Sequence, residues 1–225
     1  MFDEPIPDIP FPVIGEYKVL DVDEPLVDLE ALGFEILSVY YAKLLPGSTY
    51  EAYARKTAAE MLVDASRKLP EGFTFVILDA WRSISVQQAL WDEYRKMVVE
   101  QNPGDSEEEI DLKTSFFVSK PSYDVMIPSV HNTGGSIDLT IRDSSGHLLD
   151  MGTKFDEFQK TANSCHFEAA GMDTRIRDNR RLLYNVMLSA GFTNLPSEWW
   201  HYDYGTKFWG YFKGKDSLYR GILER

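Results

Sequence analysis

One cysteine in 225 residues leaves Cys165 without an internal partner, so no disulfide framework braces this chain. It also rules out the usual closed structural zinc site, which fills its coordination positions mostly with cysteine. Cys165 sits in Asn163-Ser-Cys165-His166-Phe with no activating neighbour and reads as a small structural residue. No apolar run nears the roughly 20 residues that a membrane-spanning helix needs. The opening Met1-Phe-Asp-Glu-Pro-Ile-Pro-Asp is acidic and broken by proline, where a secretory leader would be basic and then apolar. These absences together predict a cytoplasmic protein with no membrane contact. Basic residues are also scarce: 23 Lys and Arg against 36 Asp and Glu give a formal charge of -13. Nucleic acid and anionic lipid surfaces need clustered positive charge, so neither is an expected partner.

What remains is ample for one packed domain, with 44% hydrophobic and 13% aromatic residues and a length that favours a single core over two. Prolines at 5, 7, 10, 12 and 25 predict an extended N-terminal arm over residues 1–25, ahead of a catalytic domain over 26–225. Leu37–Tyr41 reads as the end of a strand, and small and apolar residues at helical spacing predict a helix over 50–69 that stops at Pro70-Glu-Gly72. Phe73-Thr-Phe-Val-Ile-Leu-Asp79-Ala predicts a buried strand. A helix over 86–100 is expected with Ser85 as N-cap, and Ser106 with Glu109 forms a possible capping box. Ile137–Arg142 alternates as a strand does, Asp173–Ala190 predicts a helix closed by Gly191, and Glu198–Tyr204 reads as extended. Helices and strands mix without strict alternation, which predicts an α+β domain whose central antiparallel sheet carries the site and is flanked by helices.

Histidine is also rare, with four in the chain. His147, in the turn Ser144-Ser-Gly-His147, and His166, beside Cys165, read as ordinary polar residues. The other two sit in richer surroundings. His131 precedes Asn132-Thr-Gly134-Gly135, a tight turn with backbone freedom, and Asp138 returns on the strand that follows. A ligand before a turn and another on the strand after it can point to one spot. His201 follows Glu198 by three residues. Two imidazoles and one carboxylate leave a coordination position open for water, and a neighbouring carboxylate can serve as base. On spacing alone, a hydrolytic zinc site and a sheet edge packed with Glu198 and aromatics both remain open. The same ligand set could hold Fe(II), although oxygenase chemistry has no use for a carboxylate placed like Glu198.

These residues fall into patterns. The chain reads Ser129-Val-His131-Asn-Thr-Gly134-Gly-Ser136-Ile-Asp138 and Glu198-Trp-Trp-His201. It resembles the VanX-type D-alanyl-D-alanine dipeptidases among the zinc D-Ala-D-Ala metallopeptidases, whose pattern is Ser-x-His-x-x-Gly-x-Ala-x-Asp followed by Glu-x-x-His. Asp79-Ala-Trp81-Arg82-Ser83-Ile-Ser-Val86-Gln87 is similar to the family's Asp-x-Tyr-Arg-Pro-x-x-Val-Gln. Met151-Gly152-Thr-Lys-Phe155-Asp156 is similar to its Met-Gly-x-x-Phe-Asp. The motifs run in family order from about Tyr40 to the C-terminus.

The resemblance implies one zinc ion per chain on His131, Asp138 and His201, with Glu198 as general base and Arg82 stabilising the oxyanion. It further implies substrate contacts from Ser129, Asp156, Tyr40 and Trp199, and a small dipeptide such as D-Ala-D-Ala as substrate. A carboxypeptidase or endopeptidase acting on peptidoglycan stem peptides is the enzymatic alternative, and a non-catalytic zinc-binding protein on the same scaffold is the other. The chain departs from the pattern at Ser136 for Ala, Trp81 for Tyr and Ser83 for Pro, where proline would fix one φ. The stretch Val39–Gly47 keeps only part of the family's pocket-shaping segment.

Overall fold

Alternation along Ser136-Ile-Asp-Leu-Thr-Ile-Arg142 puts Ile137, Leu139 and Ile141 on one face of a strand and Ser136, Asp138 and Thr140 on the other. That strand lies mid-sheet in the computed structural model, which describes residues 2–225. In chain order the elements are β1 (Leu26–Asp28), β2 (Glu35–Ile36), α1 (Val39–Ala42), β3 (Tyr53–Arg55), α2 (Lys56–Ser66), β4 (Thr74–Asp79), α3 (Ile84–Gln101), α4 (Glu107–Thr114), β5 (Ser136–Arg142), α5 (Thr174–Ser189), β6 (Thr193–Asn194), β7 (His201–Asp203) and α6 (Lys207–Lys213). The main sheet has the order β2-β4-β5-β7-β6. Every pairing in it is antiparallel except the edge pair β2–β4. A separate two-stranded antiparallel sheet joins β1 to β3.

The apolar face of β5 packs into the main core with Ala58 and Leu62 of α2, Leu183 and Met187 of α5, Phe75 and Ile77 of β4, and the indoles of Trp199 and Trp200. Each fully buried aliphatic side chain there contributes about 1.5–3 kcal/mol by removal from water. A smaller cluster of Tyr40, Val86, Leu90, Trp91 and Val118 joins α1 and α3 to the loop after α4. The polar face of β5 is buried as well, although its groups are not hydrophobic. Among the described residues, no helix is long and apolar enough to cross a membrane.

Residues 2–25 form no helix and one isolated bridge, Val19 to Ser217. They are tied to the body by the Ile6 N–H to Glu168, by the Asn185 amide to the Glu4 carbonyl, by three backbone bonds between Lys18–Val22 and Ser217–Leu218, and by Glu24, which accepts from Thr57 and Tyr219. Three sequence expectations are corrected. Tyr53–Arg55 is a strand and the helix starts only at Lys56, because these residues pair with Leu26–Asp28, an interaction that local helical spacing does not encode. Val39–Ala42 is a short helix where a strand was expected, and the strand before it ends at Ile36. The N-cap of α3 is Ser83, whose hydroxyl accepts from the Val86 N–H at 3.3 Å; Ser85 lies inside the helix and its hydroxyl pairs with that of Ser83 at 2.8 Å. The capping box of Ser106 and Glu109 is formed, and α5 runs from its Asp173 cap to Gly191, which takes a left-handed φ of 101°.

Candidate metal centre

Strand register assembles the site. Asp79, at the end of β4, is the Cα partner of Asp138 on β5, and Asp138 is the partner of His201 on β7. Three polar groups thus lie in one row across adjacent strands. A register shift between Ile77 and Asp79 turns Asp79 into this row. His131 arrives from the turn His131–Thr133 that precedes β5. Two glycines make that turn possible. Gly134 takes a φ of 73°, and a Cβ on Gly135 would meet the Tyr204 carbonyl oxygen at 2.3 Å.

The ligand atoms of His131, Asp138 and His201 all lie within 4.8 Å of one another, and all three residues are buried. His131 Nε2 is 3.2 Å from His201 Nδ1, which is 3.0 Å from Asp138 Oδ1; His131 Nε2 is 3.4 Å from Asp138 Oδ2. The outward nitrogens are both committed. His131 Nδ1 donates to the Ala80 carbonyl at 2.8 Å, and His201 Nε2 donates to Asp203 Oδ2 at 3.0 Å. With those nitrogens as donors, His131 turns a lone pair toward the carboxylate, and His201 does so once the proton on its Nδ1 is lost. Three inward acceptors crowded in a dry site repel one another unless a cation sits among them, so the donor set fits a divalent metal. Burial and the Arg82 charge hold His131 well below the ordinary histidine range. Burial also disfavours charge on His201, but the Asp203 and Asp138 carboxylates outweigh it and raise its pKa well above that range. A metal entering the site must displace the His201 proton.

Glu198 stands beside the cluster and outside it, with Oε2 3.8 Å from His201 Nδ1. Burial is the main cause that pushes its carboxyl up to about 7, against the pull of His201. Arg82 is buried and charged. Burial works against its charge, but the Asp79 carboxylate beside it, 2.7 Å from Nη2, more than compensates. Its Nε also donates to Asp79, its Nη1 to Gln87 Oε1 at 2.9 Å, and its Nη2 reaches the Tyr40 hydroxyl at 3.4 Å. Tyr40 in turn donates to Asp156 Oδ1 at 3.2 Å. The Asp156 Oδ2 atom is buried with no hydrogen-bond donor, and its residue holds a left-handed φ of 62°. Burial pushes Asp156 up to about 6, with the Lys43 ammonium 3.5 Å away opposing the rise. Arg82 is bound to the metal turn itself: its N–H donates to the His131 carbonyl at 3.2 Å, and the Asn132 amide donates to the Arg82 carbonyl at 2.5 Å.

One cavity of about 90 Å³ has Tyr40, Arg82, Ser129, His131, Asp138, Asp156, Glu198, Trp200 and His201 in its wall, together with the exposed Phe11 and Phe116. A larger cavity of about 280 Å³ also has Tyr40 and Arg82 in its wall, with Asp79 and Ala80, and holds none of the three clustered ligands. Of the residues singled out in the sequence, Trp199 alone is not in the site. It is buried in the main core, and its indole N–H donates to the Thr153 hydroxyl at 2.8 Å; Trp200 faces the cavity instead. Sequence reasoning met Asp79 only as the first residue of the arginine motif, not as part of this row, and did not single out Asp203. The signal for Asp203 was available, because His201 and Asp203 are two apart on a strand and so share a face.

The model of the D-ala-D-ala dipeptidase family matches residues 50–213. A D-alanyl-D-alanine dipeptidase of Synechocystis sp. is 25% identical over 86% of this chain and 87% of its own length. One from Escherichia coli is 32% identical over 59% of this chain and 55% of its own. Among solved structures, VanYB in complex with D-alanine-D-alanine is similar over 75% of this chain and 82% of that one, at 17% identity and a TM-score of 0.43. With the family model covering most of its length, and the ligand and carboxylate constellation assembled in one cavity, the chain belongs to the D-Ala-D-Ala dipeptidase family and is a metallopeptidase.

Proposed function

We propose that this protein is a zinc-dependent dipeptidase that hydrolyses D-Ala-D-Ala or a closely related small dipeptide with a free amino end. The observation that carries the reading is a single small cavity with the His131-Asp138-His201 cluster and Glu198 in its wall and the unsatisfied carboxylate oxygen of Asp156 in the same lining. Zinc held by His131, Asp138 and His201 supplies Lewis-acid polarisation and a lowered water pKa, to about 7. The VanY enzyme of a vancomycin-resistance cassette, for comparison, has been solved in complex with Zn(II).

Glu198 removes a proton from the attacking water as its oxygen bonds to the carbonyl carbon, and then delivers that proton to the leaving amine as the carbon–nitrogen bond breaks. A carboxyl pushed toward 7 by burial suits both transfers near neutral pH. The Arg82 guanidinium faces the negative charge that develops on the former carbonyl oxygen. Asp156 accepts the substrate's ammonium group, with Tyr40 holding its other oxygen. Ser129, buried in the same wall, adds a hydroxyl.

The test is a metal analysis of the purified protein followed by a substrate panel running from D-Ala-D-Ala to longer stem peptides, with and without chelator. One zinc per chain and chelator-sensitive release of free D-Ala from the dipeptide are expected. Cleavage restricted to the longer peptides would move the reading to a carboxypeptidase, and absence of metal after zinc has been offered would overturn it.

A further inference from the structure

His201 presents Nδ1 to the metal cluster and His131 presents Nε2, so each imidazole needs a partner on its opposite nitrogen. For His131 the partner is a backbone carbonyl, that of Ala80 directly after β4. For His201 it is a side chain, Asp203, which could in principle rotate. It is prevented from doing so. Asp203 has no exposed surface, and its second oxygen accepts from two hydroxyls, Ser136 Oγ at 2.6 Å and Thr206 Oγ1 at 2.8 Å. Ser136 is itself fully buried, on β5 directly across from Asp203 in the β5–β7 register. Thr206 is also buried and serves at the same time as the N-cap of α6, accepting from the Trp209 N–H at 3.3 Å. Both hydroxyls are therefore oriented by the fold to donate to Asp203, and all three lone-pair positions in use on that carboxylate are assigned.

We propose that Asp203, clamped by Ser136 and Thr206, is the positioning residue that holds His201 as a metal ligand, and that Ser136 tunes metal affinity through it. The inference rests on the zinc reading above. An outer carboxylate on a ligating imidazole fixes its tautomer and makes it a stronger donor, and losing one typically costs 10–100-fold in metal affinity. Replacing Asp203 by Asn can offer His201 an amide N–H in place of an acceptor, which would move the imidazole proton to Nδ1 and block the ligating atom. Ser136 occupies the position where the resembled motif carries Ala, so here the strand supplies a hydroxyl to the clamp.

The experiment measures zinc affinity by competition with a chromophoric chelator for the wild type, Asp203→Asn, Ser136→Ala and the double variant, with circular dichroism and thermal unfolding of each metal-free protein alongside. Asp203→Asn is expected to weaken zinc binding 10–100-fold, and Ser136→Ala to weaken it several-fold, with the fold retained. In the Asp203→Asn background, Ser136→Ala should add little further loss, because the hydroxyl acts through the carboxylate. Cobalt(II) in place of zinc should give an altered visible spectrum in both single variants, a signature that altered packing remote from the ligands does not produce. An unchanged zinc affinity in folded Asp203→Asn would overturn the proposal. If Asp203→Asn does not fold, an unchanged affinity in Ser136→Ala overturns it. Failure of the wild type to bind zinc would instead overturn the zinc reading itself.

Discussion

Tyr40 gives its hydroxyl hydrogen to one oxygen of Asp156 and leaves the other with no hydrogen-bond donor, only the half-exposed Lys43 ammonium 3.5 Å away, in a buried residue whose backbone is left-handed. That arrangement is costly to the fold and useful to a ligand with an ammonium group. The folded Asp156 carboxyl sits at about 6 against an ordinary 3.8. A raised carboxyl pKa means that the folded state binds the proton more tightly than the unfolded one. Ionised Asp156 therefore lowers stability, by nothing below about pH 4 and by an amount that grows through pH 6 and then levels off. Asp156→Asn should remove this penalty at neutral pH, and asparagine also tolerates a positive φ well. The expected result is a gain on the order of 1–3 kcal/mol, with KM raised at least tenfold for a dipeptide with a free amine. Thermal unfolding and steady-state kinetics on one preparation check both signs.

Glu198 acts as a base only when ionised. With its carboxyl pushed to about 7 by burial, kcat/KM should fall as the pH drops below about 7, and a bound divalent cation would draw that limb lower. Glu198→Gln should lose about 10²–10⁴-fold in kcat while zinc stays bound. A pH–rate profile and metal analysis of the variant decide it; substantial activity in Glu198→Gln would assign the base elsewhere.

Three of the five guanidinium donors of Arg82 are committed to Asp79 and Gln87, and a fourth makes the long contact to Tyr40. The side chain is thereby aimed before substrate arrives. Arg82→Lys keeps a charge but loses the fork, and kcat should drop about 10²–10³-fold, the cost of removing one oxyanion donor. Arg82→Ala is the poorer test, because it strands the buried Asp79 carboxylate. Single-turnover rates with D-Ala-D-Ala separate this loss from any change in binding.

Trp199 belongs to the core, so Trp199→Phe should cost stability and leave KM alone. The lost bond to Thr153 accounts for about 0.5–1.5 kcal/mol. A raised KM with unchanged stability would return Trp199 to the cavity.

Removing the metal should lower thermal stability as well as activity. At a free zinc concentration of 100 times Kd, binding stabilises the fold by about 2.7 kcal/mol. Scanning calorimetry with and without chelator should show a drop in Tm that added zinc reverses.

His131, Asp138, Glu198 and His201 could be read from the sequence because each lies in a short motif, and a turn or a three-residue step already places its members near one another. Asp79 could not, since its place in the row depends on a register irregularity in β4 and on pairing with a strand about 60 residues later. Tyr40 was named, but on the wrong element. Its segment looks like a strand locally, and the short helix there packs against Val86, Leu90 and Trp91 of α3. The β-strand at 53–55 was hidden by helical spacing for a similar reason, because its partner is β1. Trp199 and Trp200 are adjacent and chemically alike, so only the direction of the chain entering β7 tells the core residue from the one facing the cavity.

Arg55 closes the turn that carries His131 with one fully enclosed cation. Its Nε donates to the Thr133 carbonyl, Nη1 to that of Glu24 and Nη2 to that of Arg220, while the guanidinium stacks 4.9 Å from the Tyr219 ring. Segments nearly 200 positions apart must therefore meet before the first imidazole is held in place, and the second arrives only with His201. Contacts of such high sequence separation form slowly. In the order of synthesis, the chain offers at most two of the three proposed ligands until His201 has been made, so metal capture cannot template the folding of the segments before it.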